Sequence, residues 1–262
     1  MNLKELKNKL KQLNQRPNKK LGQNFLINEE IALEIVNAVK ATSYPLVEIG
    51  PGLGALTHFF DSQNLTLIEK DKKMALYWKE KGFLVFCEDA LKFDWKQIPS
   101  PYVLFGNLPF QIAGALVLEM SILKSPPKQM ILMMQKEVAQ RVLARTHTKD
   151  YGILSVMSQI FWDATPLTHV SKIHFYPSPK VDGSVLVFTL KDAFSDLEAT
   201  SYLQFIKSCF AYRRKKLINK LPHLSTKEWE IFFKKHNLSL NVRAEELSPE
   251  VYIKIYKEFQ NS

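Results

Sequence analysis

The sequence predicts an α/β domain built on a mostly parallel sheet, followed by a small all-helical domain. Three observations carry that prediction. Between residue 46 and about residue 134, apolar runs of strand length alternate with helix-like segments, as in parallel strands joined by right-handed crossovers. Four successive runs each end in a glycine turn or a polar residue suited to a ligand, and open α/β sheets bind ligands at the carboxyl ends of their strands. After Leu190 the strand pattern stops, and apolar residues recur at helical spacing. The boundaries predicted are a basic arm over 1–20, the α/β domain over 21–190 and the helical domain over 191–262.

The arm reads as a short helix, with Leu3, Leu6, Leu10 and Leu13 at helical spacing. The segment Lys20–Leu26 leads to a helix capped by Asn28, whose apolar face is Ile31, Ile35, Val36 and Val39. Val47-Glu48-Ile49 reads as the first strand and runs into Gly50-Pro51-Gly52-Leu53-Gly54. Those glycines permit positive φ and close approach of the backbone to a ligand, although the G-x-G-x-G spacing differs from the dinucleotide fingerprint. The next run, Leu65–Ile68, ends in Glu69, a carboxylate placed to hold both ribose hydroxyls of an adenosine. Phe83–Cys87 ends in Glu88-Asp89, and Asp89 is a candidate acceptor for the amino group of an adenine.

The run Tyr102–Phe105 is broken by Asn107-Leu108-Pro109-Phe110, because proline ends the strand and leaves a loop at its carboxyl end. An Asn side chain and a backbone carbonyl accept hydrogen bonds from an exocyclic amine, while an aromatic stacks on the base that carries it. The chemistry suggested is methyl transfer to the amino nitrogen of adenine. Met130–Met134 reads as a core strand, 136–146 and 150–161 as helices, and Ile173–Phe175 and Val185–Leu190 as a closing antiparallel pair joined by a Pro-rich link. In the last domain, Tyr202, Leu203, Ile206, Phe210, Leu217 and Leu221 fit one helix face. Ser225–Glu228 reads as a capping box, and Ser248-Pro249-Glu250 as a further helix start.

Composition narrows the partners. The 262 residues carry a formal net charge of +10, which points to a polyanion. The charge is clustered: the first twenty residues hold seven Lys and Arg against Glu5, and Arg213-Arg214-Lys215-Lys216 forms a second block. Such blocks contact phosphates in a salt-dependent way. Two cysteines, Cys87 inside a predicted buried strand and Cys209 on a predicted helix, argue against a disulfide framework, and the scattered histidines show no zinc spacing, so no metal is expected. No apolar run is long enough for a membrane span.

Taken together, Lys20–Leu26, Glu48–Thr57, Asn107–Phe110, Gln135–Ala139, Phe175–Asp182 and Cys209–Lys216 resemble motifs of the ribosomal RNA adenine dimethyltransferases, the KsgA/RsmA family, in family order across residues 17–221. The resemblance implies the Rossmann-like fold of class I methyltransferases, with a seven-stranded sheet, and S-adenosylmethionine as cofactor. It implies dimethylation of the N6 amino groups of two adjacent adenosines in a hairpin near the 3′ end of 16S ribosomal RNA. The implied setting is a cytoplasmic monomer acting on the immature 30S subunit. Three departures stand out: Phe110 where the family usually has Tyr, Glu88 where it often has Gly, and Gln111-Ile112-Ala113 where it usually reads Asn-Ile-Ser.

Carried over residue by residue, the resemblance assigns cofactor binding to Gln23, Asn24, Leu26, Gly50, Gly52, Glu69, Asp89 and Asn107. It assigns catalysis to Asn107, Leu108, Pro109 and Phe110, stacking of the target base to Phe110 and Phe175, and RNA binding to Arg213, Arg214, Lys215 and Lys216. Two alternatives remain open at this level. One is an enzyme that methylates adenine in large-subunit RNA and confers drug resistance. The other is a non-catalytic ribosome-assembly or transcription factor on the same fold.

Overall fold

The computed structural model describes residues 1–191, 197–211, 215–220 and 226–260. The chain begins with α1 (Leu3–Gln12), whose Asn2 cap accepts the Glu5 N–H while Glu5 reaches back to the Asn2 N–H. Then follow β1 (Phe25–Leu26), α2 (Glu29–Lys40), β2 (Leu46–Ile49), β3 (Leu65–Ile68), α3 (Lys72–Glu80), β4 (Leu84–Phe86), β5 (Val103–Asn107), α4 (Ala113–Ile122) and β6 (Gln129–Gln135). The alternation continues through α5 (Lys136–Val142), α6 (Ile153–Phe161), β7 (Trp162–Val170), β8 (Phe175–Tyr176) and β9 (Gly183–Leu190). The last described helices are α7 (Ala199–Phe210), α8 (Thr226–Lys235) and α9 (Pro249–Gln260).

Seven strands form one sheet in the order β4-β3-β2-β5-β6-β9-β7. β2 through β6 are parallel to their neighbours, and β9 runs antiparallel to β6. The parallel strands are covered on both faces, so they carry near-continuous apolar residues. Val103, Leu104, Phe105 and Met130–Met134 are fully buried. The connection from β2 goes to β3 on one side, while β5 lies against its other side. That reversal makes the carboxyl ends of β2 and β5 the switch point where such sheets bind ligands.

The chain divides into two compact units, Met1–Ala139 with Asp163–Leu190, and Gln140–Trp162 with Lys191–Ser262. The helical unit thus takes in α6, which lies within the span expected for the α/β domain. Its aromatic packing shows why: Phe161 meets the Tyr202 ring edge-on at 6.4 Å, and Tyr151 meets Phe210 at 6.4 Å. The arm belongs to the first unit, where Leu6 and Leu10 pack with Phe25, Leu53 and Met74.

Three expectations need correction. The strand beside β9 is β7, not Ile173–Phe175. β7 contains Pro166 and is mostly exposed or half-buried, a composition that disguises a strand and is tolerated because this one lies at the sheet edge. Residues 172–174 form a short 3₁₀ turn, and Phe175–Tyr176 pairs antiparallel with Phe25–Leu26, so the two-stranded ribbon ties residues distant in sequence. Cys87 is exposed rather than buried, since it follows β4, the opposite edge strand. The helix face expected over 202–221 stops at Phe210, Leu217 lies in a separate turn, and Leu221, Ser225, Arg213 and Arg214 fall outside the described residues. No helix among the described residues is long and apolar enough to cross a membrane.

Candidate active site

The carboxyl ends of β2, β3 and β5, with the segment entering β1, line a cleft that opens to solvent. Gln23, Asn24, Leu26, Gly50, Gly52, Glu69, Asp89 and Asn107, from five stretches of sequence far apart along the chain, all line it. Leu108 and Pro109 line it too, whereas Phe110 and Phe175 do not.

Gly50, Gly52 and Gly54 have φ of +65°, +53° and +90°, conformations that L side chains rarely adopt. Their surroundings differ. A Cβ at Gly54 would sit 2.7 Å from both His58 and Trp78, and one at Gly52 would sit 3.1 Å from the Phe25 ring, so these two glycines let the loop pack on the protein. A Cβ at Gly50 would meet nothing within 4 Å, so there the backbone is bare toward the cleft. The Trp78 indole N–H holds the loop from behind through the Gly52 carbonyl at 2.8 Å. Burial, with Lys9 nearby, lowers the His58 pKa to about 4 and keeps that ring neutral beside Trp78.

Acidic groups line the cleft beside this loop. Glu69 is buried, and its carboxylate accepts N–H bonds from Gly52 at 3.2 Å and Asp71 at 2.8 Å. Burial pushes its pKa up to about 7 against those bonds. At the next strand end, Asp89 accepts from the Lys70 ammonium at 2.8 Å and from the Leu91 N–H at 3.1 Å, and the Lys70 bond holds it below the usual carboxylate range. An adenosine offers donors to match these carboxylates, hydroxyls for Glu69 and an amine for Asp89, and bare backbone at Gly50 leaves room for the atoms beyond the ribose. The residues present therefore fit an adenosine-bearing cofactor.

Glu48, to which sequence alone assigns no role, also lines the cleft. The signal for it is a carboxylate in an apolar strand directly before the glycine turn. It is 2 % exposed and accepts the Thr57 hydroxyl at 2.8 Å. Burial is the main cause that pushes its pKa up to about 8, and the charge on Glu69 adds to it. A raised acid contributes stability that is complete below its unfolded value near 4.5 and is lost as pH rises through about 8. Glu48→Gln keeps an acceptor for Thr57 and removes the titration. Urea unfolding at pH 5 and pH 8.5 should show the variant gaining on the wild type as pH rises, by on the order of a few kcal/mol at the higher pH. A difference that does not vary with pH would show that Glu48 is not held neutral in the fold.

Asn107 closes the floor. Its side-chain N–H donates to the Asn24 carbonyl at 3.0 Å, which fixes the amide and leaves Oδ1 as the acceptor. Asn24 in turn donates to the Gly22 carbonyl at 3.1 Å. The preceding Gly106 is obligatory, because a Cβ there would lie 2.5 Å from the Ile49 carbonyl of β2. Sequence reasoning missed this close approach, since the position looks like any small residue in a buried strand. Gln23 turns both ends of its amide into the wall, accepting from the Asn18 N–H at 2.9 Å and donating to Asp71 at 3.0 Å. Phe110 is half-buried and stands edge-on to Phe175 with centroids 6.2 Å apart. Phe175 is only 2 % exposed and belongs to the core, so of the two rings expected to stack on a base Phe110 is the one partly open to solvent. Among the basic block, Lys215 and Lys216 are exposed.

Comparison with known proteins places this geometry. The model of the family described as ribosomal RNA adenine dimethylase matches residues 14–261. Ribosomal RNA small subunit methyltransferase A of Bdellovibrio bacteriovorus is 40 % identical, over 92 % of this chain and 92 % of that protein. The protein of the same name from Maridesulfovibrio salexigens is 37 % identical, over 95 % of this chain and 98 % of that one. Among solved structures, a dimethyladenosine transferase from Plasmodium falciparum superposes with a TM-score of 0.77 at 23 % identity, covering 90 % of this chain and 98 % of the other. The 23S rRNA methyltransferase ErmE superposes at 0.63 with 22 % identity, covering 90 % and 100 %. At such identities the structural likeness shows the shared class I methyltransferase fold.

Proposed function

The chain belongs to the ribosomal RNA adenine dimethylase family, and from that membership we propose that it is an S-adenosylmethionine-dependent enzyme dimethylating two adjacent adenosines in a hairpin near the 3′ end of 16S ribosomal RNA. The observation that carries the reading is the pinned amide of Asn107, its acceptor oxygen set at the floor of the cleft that Gly50 and Glu69 also line. The setting proposed is cytoplasmic small-subunit assembly, with the enzyme acting as a monomer.

S-adenosylmethionine supplies an activated methyl group on a positively charged sulfur, so the protein need provide neither a strong base nor a nucleophile. Glu69 accepts the ribose hydroxyls and Asp89 the adenine amine, while Gly50, Asn24 and Leu26 shape the rest of the cleft. The exocyclic nitrogen of the target adenine is a poor nucleophile because its lone pair is delocalised into the ring. Asn107 Oδ1 and the Leu108 carbonyl accept its two hydrogens, favour the pyramidal nitrogen and stabilise the positive charge that develops there. Pro109 fixes the turn, and Phe110 stacks on the base. Holding the amine in line is itself worth roughly 7–11 kcal/mol. The helical unit and the block around Lys215 and Lys216 bind RNA phosphates.

Labelled methyl incorporation tests the reading directly. Unmethylated small subunits or their RNA should take up label, and digestion should return N6,N6-dimethyladenosine. Label entering only large-subunit RNA would replace this reading with the drug-resistance activity. No label in any RNA, from protein that binds the cofactor, would replace it with a non-catalytic role.

A further inference from the structure

Lys70 links the two carboxylates on the nucleoside side of the cleft. Its backbone N–H adds to the hydrogen bonding of Glu69, and its ammonium donates to Asp89 Oδ2 at 2.8 Å. The second Asp89 oxygen is taken by the Leu91 N–H at 3.1 Å. Asp89 is therefore gripped on both oxygens, by its own turn and by the neighbouring strand end, and Lys70 itself lines the cleft. Each carboxylate oxygen keeps a further lone pair for a ligand. An amine on the purine satisfies it, whereas an oxygen at the same ring position faces it acceptor to acceptor. Discrimination between the two depends on a carboxylate held in place, and the Lys70 bond is one of the two that hold Asp89.

We propose that Lys70 is a positioning residue for the adenosine end of the cofactor, its ammonium orienting Asp89 so that the carboxylate accepts the amine of adenine and turns away a purine bearing oxygen there. The inference rests on the cofactor reading above. Its expected size is modest. The Lys70 side chain is 58 % exposed and that of Asp89 21 %, and pairs this open carry at most about a fivefold effect.

Calorimetric titration of the full chain with S-adenosylhomocysteine and S-inosylhomocysteine tests it without turnover. The wild type should prefer the adenosyl ligand. Lys70→Met should lower that preference about three- to fivefold, and Lys70→Arg, which keeps a donor in reach, should retain most of it. Salt at about 1 M, where the screening length is roughly 3 Å, should bring the wild-type ratio toward that of the Met variant. A merely structural role would weaken both ligands alike and leave the ratio unchanged, which would overturn the proposal. A wild type without any preference would instead overturn the assignment of Asp89 to the adenine, so the two failures are distinguishable.

Discussion

Asn107→Ala should lower the rate of methyl transfer by about 10²–10³-fold, the usual cost of losing one acceptor aimed at charge that develops in the transition state. The side chain is set by a single bond, its N–H to the Asn24 carbonyl at 3.0 Å, which leaves the oxygen for the substrate amine. Asn107→Asp separates the two halves of that arrangement. It keeps an oxygen acceptor and loses the donor that fixes it, so a rate well below wild type in this variant would assign part of the effect to the pinning bond. Single-turnover transfer from labelled cofactor to small-subunit RNA reads both variants. RNA affinity should stay near wild type, because Asn107 lies in the α/β unit and the basic block in the helical one. An unchanged rate in the Ala variant would remove the loop from the chemistry.

Gly50→Val should abolish most cofactor binding while leaving a folded protein. A Cβ there meets nothing within 4 Å, so it creates no clash in the protein itself, and in the proposed site the branches of Val would occupy space assigned to the cofactor. Filling such a space costs about 1–3 kcal/mol, which at its upper end is about a hundredfold in affinity. The φ of +65° adds strain of about 1–2 kcal/mol that falls on stability rather than on binding. Gly50→Ala carries the strain without the branches, so melting temperature and affinity should separate across the pair. Both variants should lose stability, and Val should lose far more affinity than Ala. Wild-type affinity in a folded Val variant would take Gly50 out of the site.

The parallel half of the sheet was legible because its strands are buried on both faces and their ends are punctuated by glycine, acid or proline, signals that lie within a few residues of one another. β7 was not, because an edge strand with Pro166 and exposed polar residues has no pattern that distinguishes it from a loop. The cleft shows the same division. Gly50, Glu69, Asp89 and Asn107 announce themselves as strand-end residues. The tasks of Glu48 and Gly106 emerge only once β2 and β5 lie side by side, since one depends on burial and the other on a 2.5 Å approach across strands.

Residue types and local spacing were sufficient for the fold class, the helical C-terminal region, the family and the residues that converge on the cleft, because each depends on neighbours in the chain or on motifs read in order. Long-range packing settled the rest. It assigned residues 140–162 to the helical unit, since the aromatic partners of Tyr151 and Phe161 lie some fifty residues onward at Phe210 and Tyr202. It pinned Asn107 through a carbonyl 83 residues away and turned Gln23 into the wall. It buried Phe175 while leaving Phe110 half-exposed. Burial, orientation and partnership are properties of pairs of residues brought together by folding, and no single segment of sequence carries them.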